Sequence, residues 1–157
     1  MKTALYVATV ARTYRKAIDD LRKDPKLYRE NMEWYKAEIG KCTYREFTTG
    51  FYFGKPTEDA QIYDSNTYVK NYTYLGTVEE TDGNGAFRME QKNKFSIGET
   101  VEVMKPDGRN LTAVVREIRD EEGNPQESAP HPKQQLWVDL GMDVEVYDIL
   151  RKKTADD

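Results

Sequence analysis

Apolar residues recur at three- and four-residue steps through the first forty positions, and at two-residue steps, in short runs, from position 68 onward. Tyr6, Val7, Val10, Ala11, Tyr14, Ile18 and Leu21 form one helical stripe, which predicts a helix over Thr3 to Lys23. Asp24-Pro25 ends that helix and starts another, because Asp24 can accept orphan N–H groups and Pro25 fits a first helical position. Tyr28, Met32, Tyr35 and Ile39 give the second helix its apolar face, and Gly40 reads as a left-handed stop. A hairpin of two helices cannot bury both stripes against itself. Its outer stripe must therefore either dock on the second half of the chain or stand as an exposed apolar patch.

Strand-like alternation then takes over, punctuated by turns. Tyr68 to Glu80 reads as one long strand or two, Asp82-Gly83-Asn84-Gly85 as a hairpin turn, and Ala86 to Lys92 as the returning strand. Ser96-Ile97-Gly98 and Pro106-Asp107-Gly108 are further turns, bracketing a strand over Glu99 to Lys105 and preceding one over Leu111 to Ile118. Arg119 to Lys133 is too poor in apolar groups for core and reads as a surface loop. Leu136 to Leu140 and Val144 to Tyr147 are the expected closing strands. Many short strands without an intervening helical period favour a small antiparallel β-barrel, since closure removes exposed edges. The predicted fold is mainly β with an N-terminal helical hairpin, divided into a helical and connecting segment at 1–64 and a barrel domain at 65–157.

Charge narrows the function. The net charge of −4 divides into +3 over residues 1 to 63 and −7 over residues 64 to 157, so the barrel half offers no broad phosphate-binding surface. No apolar run is long enough to cross a bilayer and no signal pattern opens the chain, so a cytoplasmic protein without a membrane partner is expected. Cys42 and His131, the single thiol and the single imidazole, lie far apart in sequence and at unsuitable places for a nucleophile and its base. They also fall short of a zinc set. Acidic runs such as Asp120-Glu121-Glu122 sit beside turns, where solvent keeps carboxylates ordinary. The expectation is no catalytic residue, no metal and no cofactor in this chain. Tyr44, Arg45, Phe51, Tyr52 and Phe53 form the one segment dense enough for recognition of a peptide strand or of RNA bases. A packed seam between helices and barrel, threaded by Gly50 and Gly54, is the favoured alternative.

Three blocks carry a family resemblance: Met1 to Ala8, Thr48-Thr49-Gly50-Phe51-Tyr52-Phe53-Gly54, and Asn93 to Val103. Their order and spacing resemble the C-terminal portion of the collagenase-like peptidase family U32. The resemblance implies a barrel similar to the second domain of elongation factor Tu, and a catalytic domain of the same protein lying upstream of this chain. It implies an accessory role in a peptidase, positioning a protein or peptide substrate or mediating contacts. The alternative it implies is a module that binds RNA, because some relatives are implicated in hydroxylation of RNA bases.

Overall fold

The computed structural model describes residues 2–42, 51–55 and 71–154. The N-terminal portion is a helical hairpin of α1 (Ala4–Lys23), α2 (Pro25–Glu30) and α3 (Met32–Ile39). Thr3 caps α1 by accepting from the Tyr6 amide at 3.2 Å. Asp24 has the predicted double role: its amide closes α1 on the Asp20 carbonyl at 2.9 Å, and its carboxylate accepts the Lys26 amide at 2.8 Å to open α2. The second arm differs from the single helix expected, because Asn31 leaves helical geometry at φ −87°, ψ 3°. Backbone bonds from Asn31 to Leu27 (3.0 Å) and from Tyr35 to Asn31 (3.1 Å) still carry the ladder across, so the interruption is local. Gly40 is not a left-handed stop. It is right-handed at φ −66°, and the arm ends in tightened bonds from Lys41 to Glu38 and from Cys42 to Ile39.

Among the described residues nine strands follow: β1 (Tyr72–Thr81), β2 (Ala86–Glu90), β3 (Phe95–Ser96), β4 (Thr100–Met104), β5 (Asn110–Val114), β6 (Glu117–Arg119), β7 (Ser128–Ala129), β8 (Gln135–Asp139) and β9 (Ile149–Lys153). Seven of them form one antiparallel sheet in the order β5-β4-β9-β1-β2-β8-β6, and β3 pairs with β7. The long strand β1 is the spine. Its first half pairs with β9 and its second with β2, and the register shifts between Tyr74 and Gly76. A Cβ at Gly76 would lie 2.7 Å from the Glu90 carbonyl and against the Met89 methyl, so only glycine permits this close strand approach.

The sheet curls into an antiparallel half-barrel, and the chain itself bridges its two edges. Val115 exchanges backbone bonds with Glu99 and Gly98 on the β4 side, at 3.0 and 2.8 Å, while the next residue, Arg116, donates to Asp139 at the end of β8 at 2.9 Å. This handover breaks the expected strand over 111–118 into β5 and β6. Two further expectations are corrected. The loop over 119–133 contributes β7, whose Ala129 is fully buried against the core. Val144 to Tyr147 is not a strand, because the Glu145 amide donates to the Asp148 carboxylate at 2.8 Å and Tyr147 turns to φ 77°. The closing strand is β9, five residues further on. The main core, including Leu75, Phe87, Phe95, Ile118, Leu136 and Leu150, lies wholly inside the half-barrel.

Candidate functional site

α1 lies on the half-barrel with its polar side inward. Leu5, Thr9, Arg12, Thr13 and Asp20 are its buried residues, and their spacing places them on one face at about 100° per residue. A small apolar contact of Leu5 with Met104 and Ile149 starts this interface. Beyond it the contact is ionic. Arg12 pairs with Glu38 of α3 and donates to the Lys105 carbonyl at 2.9 Å and to Asn110 Oδ1 at 3.0 Å. The same Glu38 pairs with Arg151 of β9, accepts from Asn110 Nδ2 at 2.9 Å, and lies 3.1 Å from Lys41 Nζ. Arg151 Nε donates to Glu102 at 2.7 Å, and its guanidinium stands 5.1 Å over the Tyr72 ring.

Burial drives the Glu38 carboxyl up, but Arg151, Arg12 and Lys41 together outweigh it and hold the group below its ordinary value. Burial lowers Arg12, against the pull of Glu38. Glu38 and Arg151 are enclosed, Lys41 and Glu102 reach the surface, and Arg12 keeps its Nε without a partner among the described residues. The cluster thus locks helices to sheet. A second lock lies within the hairpin. Asp20 accepts from Tyr35 Oη at 2.6 Å, Lys16 Nζ at 2.8 Å and Asn31 Nδ2 at 2.9 Å, which explains why Asn31 departs from the helix. Burial, followed by the Asp20 hydrogen bond, pushes the Tyr35 hydroxyl up to about 12.

With the polar side of α1 inward, the predicted apolar stripe faces outward: Val7, Tyr14, Ile18 and Leu21 are 58%, 60%, 43% and 47% exposed. Of the two outcomes expected for this stripe, the exposed patch is the one observed. Beside it runs a groove of about 430 Å³ between α1 and the sheet, with apolar walls that include Ala8, Ala11, Met104 and Ile149 and with Arg12 and Arg15 also lining it. Tyr147 stands over it in a left-handed backbone conformation that non-glycine residues rarely adopt.

Of the aromatic candidates, Tyr44 and Arg45 lie outside the described residues. Phe51, Tyr52 and Phe53 occupy a turn closed by the Gly54 amide on the Phe51 carbonyl at 3.2 Å, and they are 79%, 86% and 82% exposed. Among the described residues these rings are exposed and do not pack between the helices and the sheet. Cys42 is buried, with its thiol donating to the Ile39 carbonyl, and burial raises its pKa, whereas His131 is exposed on its loop. No group of three or more metal-ligating side chains occurs among the described residues. No helix among them is long and apolar enough to cross a membrane.

The sequence showed the α1 stripe and the aromatic segment, though not that the segment turns, and it did not reveal the cluster of Arg12, Glu38, Glu102 and Arg151. Each reads locally as a solvated charge. The one available signal was Arg12, set among apolar neighbours one turn from Thr9.

Comparison with known proteins places the chain. The family description "Peptidase family U32" matches residues 1–62, and "Peptidase family U32 C-terminal domain" matches residues 70–151. The tRNA hydroxylation protein P1 of Bacillus subtilis (strain 168) is 33% identical over 153 residues, covering 97% of this chain and 36% of that protein. The tRNA hydroxylation protein P of Escherichia coli (strain K12) is 26% identical over 146 residues, covering 92% of this chain and 31% of that protein. The chain thus spans about a third of the length of these curated relatives. A crystal structure of the C-terminal domain of a Geobacillus thermoleovorans protein assigned to the U32 peptidases is similar at 32% identity and a TM-score of 0.47, over 51% of this chain and 99% of that one. Because the C-terminal description alone matches more than half of its residues, the chain belongs to peptidase family U32.

Proposed function

We propose that this chain is the non-catalytic C-terminal region of a U32 protein that acts in tRNA hydroxylation, where it helps to position the RNA substrate. The observation that carries the reading is the continuous similarity to tRNA hydroxylation protein P1 across 97% of the chain, through helices and half-barrel alike. The structure is compatible with that continuity, since the Glu38 cluster ties the two parts together. Nothing chemically poised for peptide cleavage accompanies it among the described residues: the thiol is buried, and the central carboxylate is committed to ion pairs. A hydrolytic role for the parent protein is supported by the family's name alone.

In this reading the segment 1–64 belongs with the domain that precedes it, and 65–157 is the accessory domain. The exposed Phe51-Tyr52-Phe53 turn, followed by Lys55, supplies stacking surfaces of the kind that hold unpaired bases. The test is mass spectrometry of tRNA nucleosides from cells lacking the encoding gene. Hydroxylated nucleosides should disappear and return with the full-length gene, but not with a version lacking residues 71–154. Normal hydroxylation in the deletion strain, or gelatin and casein cleavage by the purified full-length protein, would reject the reading.

A further inference from the structure

The helix α1 has two incompatible faces, and only one is covered. Its buried side is polar, held by Arg12, Thr9 and Asp20 against α3 and the sheet. Its exposed side is apolar, and Val7, Tyr14, Ile18 and Leu21 repeat at seven, four and three residues along it. A surface helix of a self-sufficient domain has the opposite arrangement, because burying the apolar stripe is what stabilises such a helix. The exposed side chains continue through Ala11 into the groove beneath Tyr147, which extends the apolar surface onto the sheet edge.

We propose that this outward face of α1 is a docking surface for the N-terminal part of the same U32 protein, so that α1 is sandwiched between that part and the half-barrel. Two facts select this occupant. The family description that matches α1 is that of the U32 region, not that of the C-terminal domain, which begins to match only at residue 70. About two thirds of each curated relative lies outside the part matched here, which supplies a partner of domain size. The four exposed members of the stripe carry no charge, and Arg15 at the rim of the groove is paired with Asp19, so an apolar protein face suits this surface better than RNA. The proposal rests on family membership and is independent of the tRNA reading.

The test is thiol labelling in the isolated chain and in the full-length protein. Tyr14→Cys and Leu21→Cys are made singly, with Glu121→Cys on the distant loop as control. In the isolated chain all three should react with a maleimide at similar rates. In the full-length protein the two α1 sites should slow by about tenfold or more, the factor expected when even 1.4 kcal/mol of opening is required, while Glu121→Cys keeps its rate. Ile18→Glu in the full-length protein should restore fast labelling at position 14. Equal α1 rates in both proteins would overturn the proposal. So would protection in the isolated chain that grows with its concentration, because the face would then be a contact between two copies.

Discussion

Glu38 on the helical arm and Arg151 on the closing strand form a buried ion pair although 113 residues separate them. Arg12 from α1 completes the triangle on the same carboxylate oxygen. Removing the carboxylate leaves the Arg12 guanidinium buried without its counter-charge and Arg151 with Glu102 alone. Glu38→Ala should therefore destabilise the chain by about 3 to 5 kcal/mol, the usual cost of breaking a buried pair from one side. Urea melts should show the midpoint falling. An unchanged midpoint would mean that the cluster is hydrated.

Acid should act through the same group. The Glu38 carboxyl lies below its ordinary value of 4.5 in the folded state, so the folded chain binds fewer protons than the unfolded one. Its contribution is then complete above about pH 4.5 and is lost as pH falls through the lower folded value. Asp20 is held low as well: Lys16, Tyr35 and Asn31 together outweigh the burial that pushes it up, so it adds to the same limb. Melting temperature should decline below about pH 4.5, and Glu38→Gln should flatten that decline while lowering stability at neutral pH.

Gly76 lies at the register shift within the β1–β9 pairing, two residues before β1 takes up β2. Gly76→Ala should cost about 1 to 3 kcal/mol, because the added methyl meets a backbone carbonyl that cannot move without disturbing β2. Gly83→Ala, in the hairpin turn, meets no neighbouring atom and should cost about 1 kcal/mol from its positive φ alone. Denaturant midpoints of the two variants should fall in that order.

The half-barrel should fold without the helices. Its main apolar core contains no helical residue, and the helices contribute Leu5, Ala8 and ion pairs. A fragment over 71–154 should give a β-type circular dichroism spectrum and a cooperative melt. A spectrum without structure would make the Glu38 cluster essential to the sheet itself.

The exposed aromatic turn should tolerate truncation. Phe51→Ala, Tyr52→Ala and Phe53→Ala should each change stability by less than about 0.5 kcal/mol, as surface substitutions do. A loss near 3 kcal/mol for either Phe would restore the packing seam.

The sequence alone determined the local elements, because their causes are local. Asp24-Pro25 can only end one helix and begin another, and Asp82 to Gly85 carries its own turn chemistry, with the Asp82 carboxylate accepting the Asn84 and Ala86 amides. Periodicity was enough for a mainly β fold behind a helical hairpin, and three short blocks were enough for the family. Tertiary structure decided which way α1 faces. The stripe Val7, Tyr14, Ile18 and Leu21 is visible in any window of the chain, but the charges that turn it outward are Glu38, Glu102 and Arg151, scattered over three other elements. An isolated Glu in a helix and an Arg in a strand look solvated until the fold brings them together. The same non-locality hid the handover at Val115 and Arg116, where one stretch of chain bridges both edges of the sheet, because the partners that break the strand are Glu99, just before β4, and Asp139, at the end of β8.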